Sequence, residues 1–297
     1  MRVIALGFFD GVHLGHQALM HECAAQAERL GASAAAISFD THPSSLLSGR
    51  TEGLLTLPAE REALMRAHGI QELILLPFDD ALMHMQWDDF VREILVSRLE
   101  AVHLVCGTDF RFGWQGAGNS TLLRDLCASL GIGLSVVPPV CADGEPVSST
   151  RIRSLMQSGE MASAVALLGH PYRLTGTVLH GRGLGHTLGF PTANLDFPDA
   201  LLAPAFGVYA CRAFLPDAVR TAVVNLGVRP TVDHADGIHV EAWIQDYDGD
   251  LYGRELTLEF LTFLRPERRF PDLDALRAQV LQDGEQARAA VPSLPHI

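Results

Sequence analysis

The chain has 297 residues, is 48% hydrophobic and carries a formal net charge of −13. That is enough apolar material for two domain cores, and the acidic balance excludes a protein that coats nucleic acid, which needs many basic side chains against phosphates. All 22 basic residues are arginine and none is lysine, which also excludes a Walker A loop, a protein-kinase strand lysine and Schiff-base chemistry.

Met1 to Leu6 reads as a buried strand. It is too short to span a membrane and lacks a signal-peptide grammar, so a cytoplasmic location is expected. Five dispersed cysteines, Cys23, Cys106, Cys127, Cys141 and Cys211, fit neither a disulfide framework nor a Cys-rich zinc site and are expected to be reduced thiols. Gly7-Phe8-Phe9-Asp10-Gly11-Val12-His13-Leu14-Gly15-His16 follows the strand. Its glycines permit turns, and His16 opens the helical pattern of Gln17 to Leu30. Strand, glycine turn and helix N-terminus favour an anion, because the first helical N–H groups are unpaired and the dipole is positive there. His13 and His16 add donors there, on a turn that Gly7 and Gly11 permit. A metal on Asp10, His13 and His16 is the competing reading, and it ranks lower because nothing nearby closes the ligand set.

Up to about residue 168, apolar runs alternate with helical stretches. Ala34 to Phe39, Glu72 to Pro77, Val102 to Cys106 and Leu134 to Pro138 read as strands; Trp87 to Leu99 and Leu122 to Leu130 have helical spacing. This predicts an α/β domain with a parallel sheet and ligands at the strand C-termini. Ser38 to Pro43, with Asp40 and His42, ends the second strand; Asp109, Phe110 and Phe112 follow another, and these aromatics suit flat rings. Ser148, Ser149 and Thr150 precede or open a helix to Gln157, where hydroxyls, N–H groups and the guanidinium of either Arg151 or Arg153, which point in different directions, make a phosphate cradle.

After Gly169 the pattern becomes short β-rich runs, Tyr172 to His180, Gly207 to Phe214, Thr221 to Leu226, His239 to Tyr247 and Glu255 to Leu264, with a hairpin turn expected at Asp248-Gly249 and a final helix from Asp272 to Ala290. An antiparallel barrel or sandwich is expected. Gly181-Arg182-Gly183-Leu184-Gly185-His186-Thr187-Leu188-Gly189-Phe190-Pro191-Thr192-Ala193-Asn194 is no dinucleotide fingerprint, since Pro191 stands where a helix should start. Thr192 and Asn194 alternate along an extended segment and share a face, as a Mg²⁺ and phosphate clamp requires. Glu241 lies opposite Val240, Ala242 and Ile244 on its strand, free to reach a cleft.

These motifs resemble the bacterial bifunctional riboflavin kinase/FAD synthetase family, over nearly the whole chain and in the family's order. The resemblance implies a Rossmann-like nucleotidylyltransferase domain with a parallel sheet (residues 1–168) and a small antiparallel β-barrel riboflavin kinase domain with a terminal helix (169–297). It implies two reactions, riboflavin with ATP to FMN, then FMN with ATP to FAD and pyrophosphate, without nucleic-acid or membrane partners. By that resemblance Gly7, Phe9, Asp10, His13, His16, Ser148, Ser149, Thr150 and Arg153 handle ATP in the first domain; Gly181, Gly183, Gly189, Pro191, Thr192 and Asn194 hold Mg²⁺ and ATP in the second. Glu241 becomes the general base on the riboflavin 5′-hydroxyl, and Asp40, His42, Asp109, Phe110, Phe112, Arg265 and Phe270 become flavin contacts. His186 departs from an arginine common in the family, and the chain lacks the family's usual N-terminal lead-in. The alternatives are one competent activity only, or a flavin-sensing homologue, which should lack His13, His16 or Glu241. The sequence sets no oligomeric state.

Overall fold

A computed structural model describes residues 1–39, 53–180, 189–228 and 237–291. The chain divides into two compact units, Met1–Ser149 and Thr150–Ile297.

In the first unit, five parallel strands lie in the order β3-β2-β1-β4-β5: β1 Arg2–Leu6, β2 Ser33–Phe39, β3 Glu72–Leu76, β4 Ala101–Gly107 and β5 Gly133–Val137. The central strands are apolar on both faces, as a sheet covered on both sides requires. Val3, Ala5, Ala36 and Val105 pack with Met20 and Cys23 of helix α1 (Leu14–Leu30) and Met65 of α2 (Pro58–Ala67). Ile4, Leu6, Ile37 and Cys106 pack on the opposite face with Phe90, Val91 and Leu95, and with Leu123 and Leu126 of α3 (Ser120–Leu130). The strand order reverses between β1 and β4, so the loops that leave their C-termini open one crevice.

Two local expectations are corrected here. α1 begins at Leu14 rather than at His16, because the His13 side chain caps it by accepting the backbone N–H of His16. The stretch expected to be α-helical from Trp87 to Leu99 is helical only over Trp87–Asp89 and then continues as a π-helix over Phe90–Arg98. Leu99 N–H bonds Ile94 O, five residues back. That wider winding turns Phe90 and Leu95 toward the same core.

The second unit starts with helices α4 (Ser149–Gln157) and α5 (Met161–Leu168), and α4 thus begins at the unit boundary. Six antiparallel strands follow: β6 Tyr172–Thr177, β7 Thr192–Asp196, β8 Gly207–Phe214, β9 Val219–Val228, β10 Ile238–Ile244 and β11 Glu255–Arg265, ordered β6-β11-β8-β9-β10-β7. Just beyond β6, Leu179 N–H bonds Asn194 O of β7 at 2.8 Å, so the two edge strands meet and the sheet curls into a barrel. Alternate residues fill the interior, among them Tyr209, Cys211, Val224, Leu226, Val240, Ala242, Leu258 and Phe260. On the outside, Val208, Ala210 and Val223 pack under Ala287 of the final helix α6 (Leu273–Ala290), whose N-cap is Asp272.

Asp248-Gly249 does not turn a hairpin. β10 pairs with β7 and β9, whereas β11 pairs with β6 and β8, so residues 245–254 cross between non-adjacent strands. The dipeptide has hairpin chemistry, but barrel closure chose other partners. All five cysteines are free thiols, four of them buried and Cys141 exposed.

Candidate active sites

In the first unit, β1 delivers Gly7 to the crevice, where a Cβ would stand 3.0 Å from the Phe9 ring. The turn that follows uses positive φ at Phe9 (59°), Gly11 (81°) and Val12 (38°). Glycine accepts this readily; Phe9 and Val12 store strain of about 1–3 kcal/mol each. A scaffold of hydrogen bonds holds it. Ser38 Oγ donates to Phe8 O (2.9 Å), Gly11 N–H to Thr56 Oγ1 (3.1 Å) and Ser149 Oγ to Asp10 O (3.0 Å). The Asp10 carboxylate is buried and accepts from Leu55 N at 2.9 Å and Thr56 N at 3.2 Å. A residue expected at the phosphate thus has its carboxylate against the backbone of 55–56.

At the start of α1 the His13 and His16 rings stack, with centroids 3.6 Å apart and planes 17° off parallel. Phe9 meets His16 edge-on at 5.3 Å. Burial, then the neighbouring His13 and Arg61, push the His16 imidazole well below its usual range. It is therefore neutral near pH 7, and its Nδ1 is enclosed without a hydrogen-bond partner. The pair stands at the N-terminal end of α1, where the helix dipole favours an anion.

Beside it lies a cavity of about 290 Å³ lined by Leu6, Gly7, Ile37, Phe39, Phe78, Phe90, Phe110 and Phe112, among others. Phe110 and Phe112 stack at 5.2 Å. The structure brings Gly7, Phe110 and Phe112 together there, while Asp109 is exposed and does not line the cavity. Phe39 ends β2 within the Ser38 to Pro43 segment, whereas Phe78 and Phe90 were not anticipated; Phe78 lies just past the C-terminus of β3, which is the signal that marks it. Thr150 is exposed, and Arg153 is buried on α4 with Ile152 and Met156. Ser148 is half-buried. Asp40, His42, Gly181 and Gly183 lie outside the described residues.

In the second unit, Gly189 has φ 84° and Phe190 packs edge-on against Trp243 at 4.8 Å, which leads exposed Pro191 into β7. Thr192 pairs with Trp243 and Asn194 with Glu241 across the β7–β10 ladder, while Asn225 of β9 flanks Glu241 on the other side. All stand on the outer face. His239, two residues before Glu241, shares it. Its Nε2 lies 3.0 Å from Asn194 Oδ1 and 3.1 Å from Glu241 Oε1; both are acceptors, so Nε2 carries the hydrogen. His239 was not singled out as a site residue, although its i, i+2 spacing from Glu241 placed it there.

Next to Thr192 and Pro191 a cleft of about 550 Å³ runs along Tyr247, Asp248, Gly249, Asp250 and Tyr252, and Tyr252 stacks on His180 at 3.9 Å. Arg265 is clamped to buried Asp283 of α6 by bonds of 2.8–3.1 Å and lies 5.6 Å over the Phe270 ring. Asn225 Nδ2 donates to Glu267 Oε1 at 3.1 Å. The neutral oxygens of Thr192 and Asn194 suit a hard divalent cation that takes most remaining ligands from phosphates and water. No group of three or more His, Cys, Asp or Glu residues forms a metal cage among the described residues.

Two family models divide this chain between them: FAD synthetase matches residues 1–151 and riboflavin kinase matches residues 168–291. The chain belongs to the bifunctional riboflavin kinase/FMN adenylyltransferase family. Proteins of that name from Pseudomonas fluorescens, Listeria monocytogenes and Escherichia coli K12 are 35%, 34% and 33% identical to it, covering 98%, 97% and 96% of this chain and 94%, 92% and 91% of theirs. A solved structure described as a macrolide-efflux protein from Streptococcus pneumoniae superposes with a TM-score of 0.87 at 29% identity, over 97% of this chain and 94% of that one. No helix among the described residues is long and apolar enough to cross a membrane. The family's two domains thus coincide with the α/β and β-barrel architectures, and ATP-dependent enzymes of both kinds generally use a divalent metal.

Proposed function

We propose that this chain converts riboflavin to FMN and FMN to FAD with two molecules of ATP, in the cytoplasm and with Mg²⁺ as the metal. We assign phosphorylation to residues 169–297 and adenylyl transfer to 1–168. The observation that carries the reading is the Asn194–His239–Glu241 cluster, a carboxylate beside a phosphate-clamp strand, in the same chain as the stacked His13/His16 pair.

In the kinase reaction Glu241 accepts the 5′-hydroxyl proton as the oxygen attacks the γ-phosphorus in line. The His239 N–H fixes the carboxylate and, through Asn194 Oδ1, its alignment with the clamp. Thr192 and Asn194 would hold Mg²⁺, which neutralises developing charge on the phosphates. In adenylyl transfer the FMN phosphate is already a nucleophile and needs no base. The first unit's task is positioning, with the aromatic cavity taking the flavin ring and His13, His16 and the N–H end of α1 stabilising the α-phosphate. Five free thiols agree with a reducing compartment.

Incubation of the purified protein with riboflavin and Mg·ATP, with riboflavin, FMN and FAD separated over time, tests the reading. FMN should appear first and FAD after it; no product at all overturns it.

A further inference from the structure

Arg61 of α2 is only 2% exposed, yet it carries a permanent charge. Its Nη1 donates to Phe8 O at 3.3 Å, its guanidinium carbon sits 4.7 Å from the Phe8 ring centroid, and its Nε is enclosed without a partner. Burial pulls its pKa down and the Asp10 charge pulls it back. A guanidinium held this way is costly to bury, and an aliphatic side chain would fill the space with less penalty. What the charge adds is its place: it lies under the strained Gly7–Val12 turn, near enough to His16 to disfavour protonation there.

We propose that Arg61 is a positioning residue for adenylyl transfer, which ties down the Phe8 carbonyl beneath the phosphate loop and supplies a fixed positive charge behind the His13/His16 pair. This rests on the assignment of adenylyl transfer to that pair. The charged and titratable groups that act on His16 are His13, stacked on it at the start of α1, and Arg61 from α2; Asp10 of the turn acts in turn on Arg61. Protonating His16 would place a hydrogen on enclosed Nδ1, which has no acceptor, and a second charge near Arg61. The loop therefore works with His16 neutral, and Arg61 extends that state to lower pH.

The test is the pH profile of FMN adenylylation in the full chain. Arg61→Met should lower kcat/KM about tenfold or more and move the acid limb upward by about half a pH unit or more, with riboflavin phosphorylation by the same preparation unchanged. Arg61→Lys keeps the charge but not the planar stack on Phe8; its acid limb should match the parent while its rate stays reduced. An unmoved acid limb in Arg61→Met overturns the inference even if the rate falls, since a merely structural arginine gives that result. If Arg61→Met does not fold, Arg61→Lys decides: a limb that moves with the charge retained overturns it. His16→Gln separates the two failures. Full adenylylation in His16→Gln refutes the underlying assignment, whereas loss there together with an unmoved limb in Arg61→Met refutes only the role of Arg61.

Discussion

Asn194 and Glu241 stand directly opposite each other on adjacent antiparallel strands, and a single imidazole N–H, that of His239, reaches both side-chain oxygens. The sheet register thus joins the proposed clamp residue and the proposed base into one unit. Because the ladder fixes the backbones and His239 fixes the side chains, little ordering remains when substrate arrives.

Glu241→Gln keeps the shape and removes the basicity. FMN formation should fall by about 10²–10⁴-fold, the range for loss of a positioned general base. Conversion of supplied FMN to FAD should continue at the parental rate, because Glu241 and the His13/His16 pair lie in separate compact units. Undiminished phosphorylation would refute the base assignment.

His13→Ala removes both the helix cap and the ring stacked on His16. FAD formation from FMN should drop by about 10²-fold or more, while riboflavin is still phosphorylated. Equal loss of both activities would count against the division of labour.

Gly113 and Gly131 both adopt left-handed backbone, at φ 72° and 70°. A Cβ at Gly131 meets nothing within 4 Å, whereas one at Gly113 stands 2.6 Å from the Trp87 Cα beside the aromatic cavity. Gly131→Ala should therefore show only the backbone cost, about 1–2 kcal/mol in unfolding. Gly113→Ala should cost more and should also raise the KM for FMN in adenylylation. Equal effects of the two changes would remove the cavity wall from the proposed flavin site.

Burial holds both His16 and His103 below the usual 6.5. Above that pH the folded and unfolded chains both carry them neutral. Below it the unfolded chain binds protons that the folded unit takes up less readily, so stability falls as pH drops through 6.5. Urea unfolding of the first unit compared at about pH 7.5 and about pH 5.5 should show the loss. A His16→Gln, His103→Gln variant should show a shallower dependence, and an identical slope would place the acid sensitivity elsewhere.

Much of this was legible along the chain because it is local. Unbroken apolar runs marked the parallel strands, alternation marked the barrel strands, and Asp272 marked the start of the last helix. Where local chemistry and closure disagreed, closure prevailed: Asp248-Gly249 has hairpin residues, but its flanking strands pair with others. The π-helix over Phe90–Arg98 was hidden for a related reason, since apolar spacing reports which residues seek the core and not how tightly the backbone winds to bring them there.

The sequence by itself determined the two architectures, their order, the family and the residue types available for phosphate chemistry, because strand, turn and helix signals act over a few residues. Only the tertiary structure decided which way the side chains turn. It set Asp10 against the backbone of 55–56, clamped Arg265 to Asp283, brought His239 between Asn194 and Glu241, and buried Arg61 beneath Phe8. Those partners are separated by 18 to 53 residues, apart from the His239–Glu241 neighbours. No periodicity records such a contact, since it exists only once packing has brought distant segments together and burial has made an unpaired polar group costly.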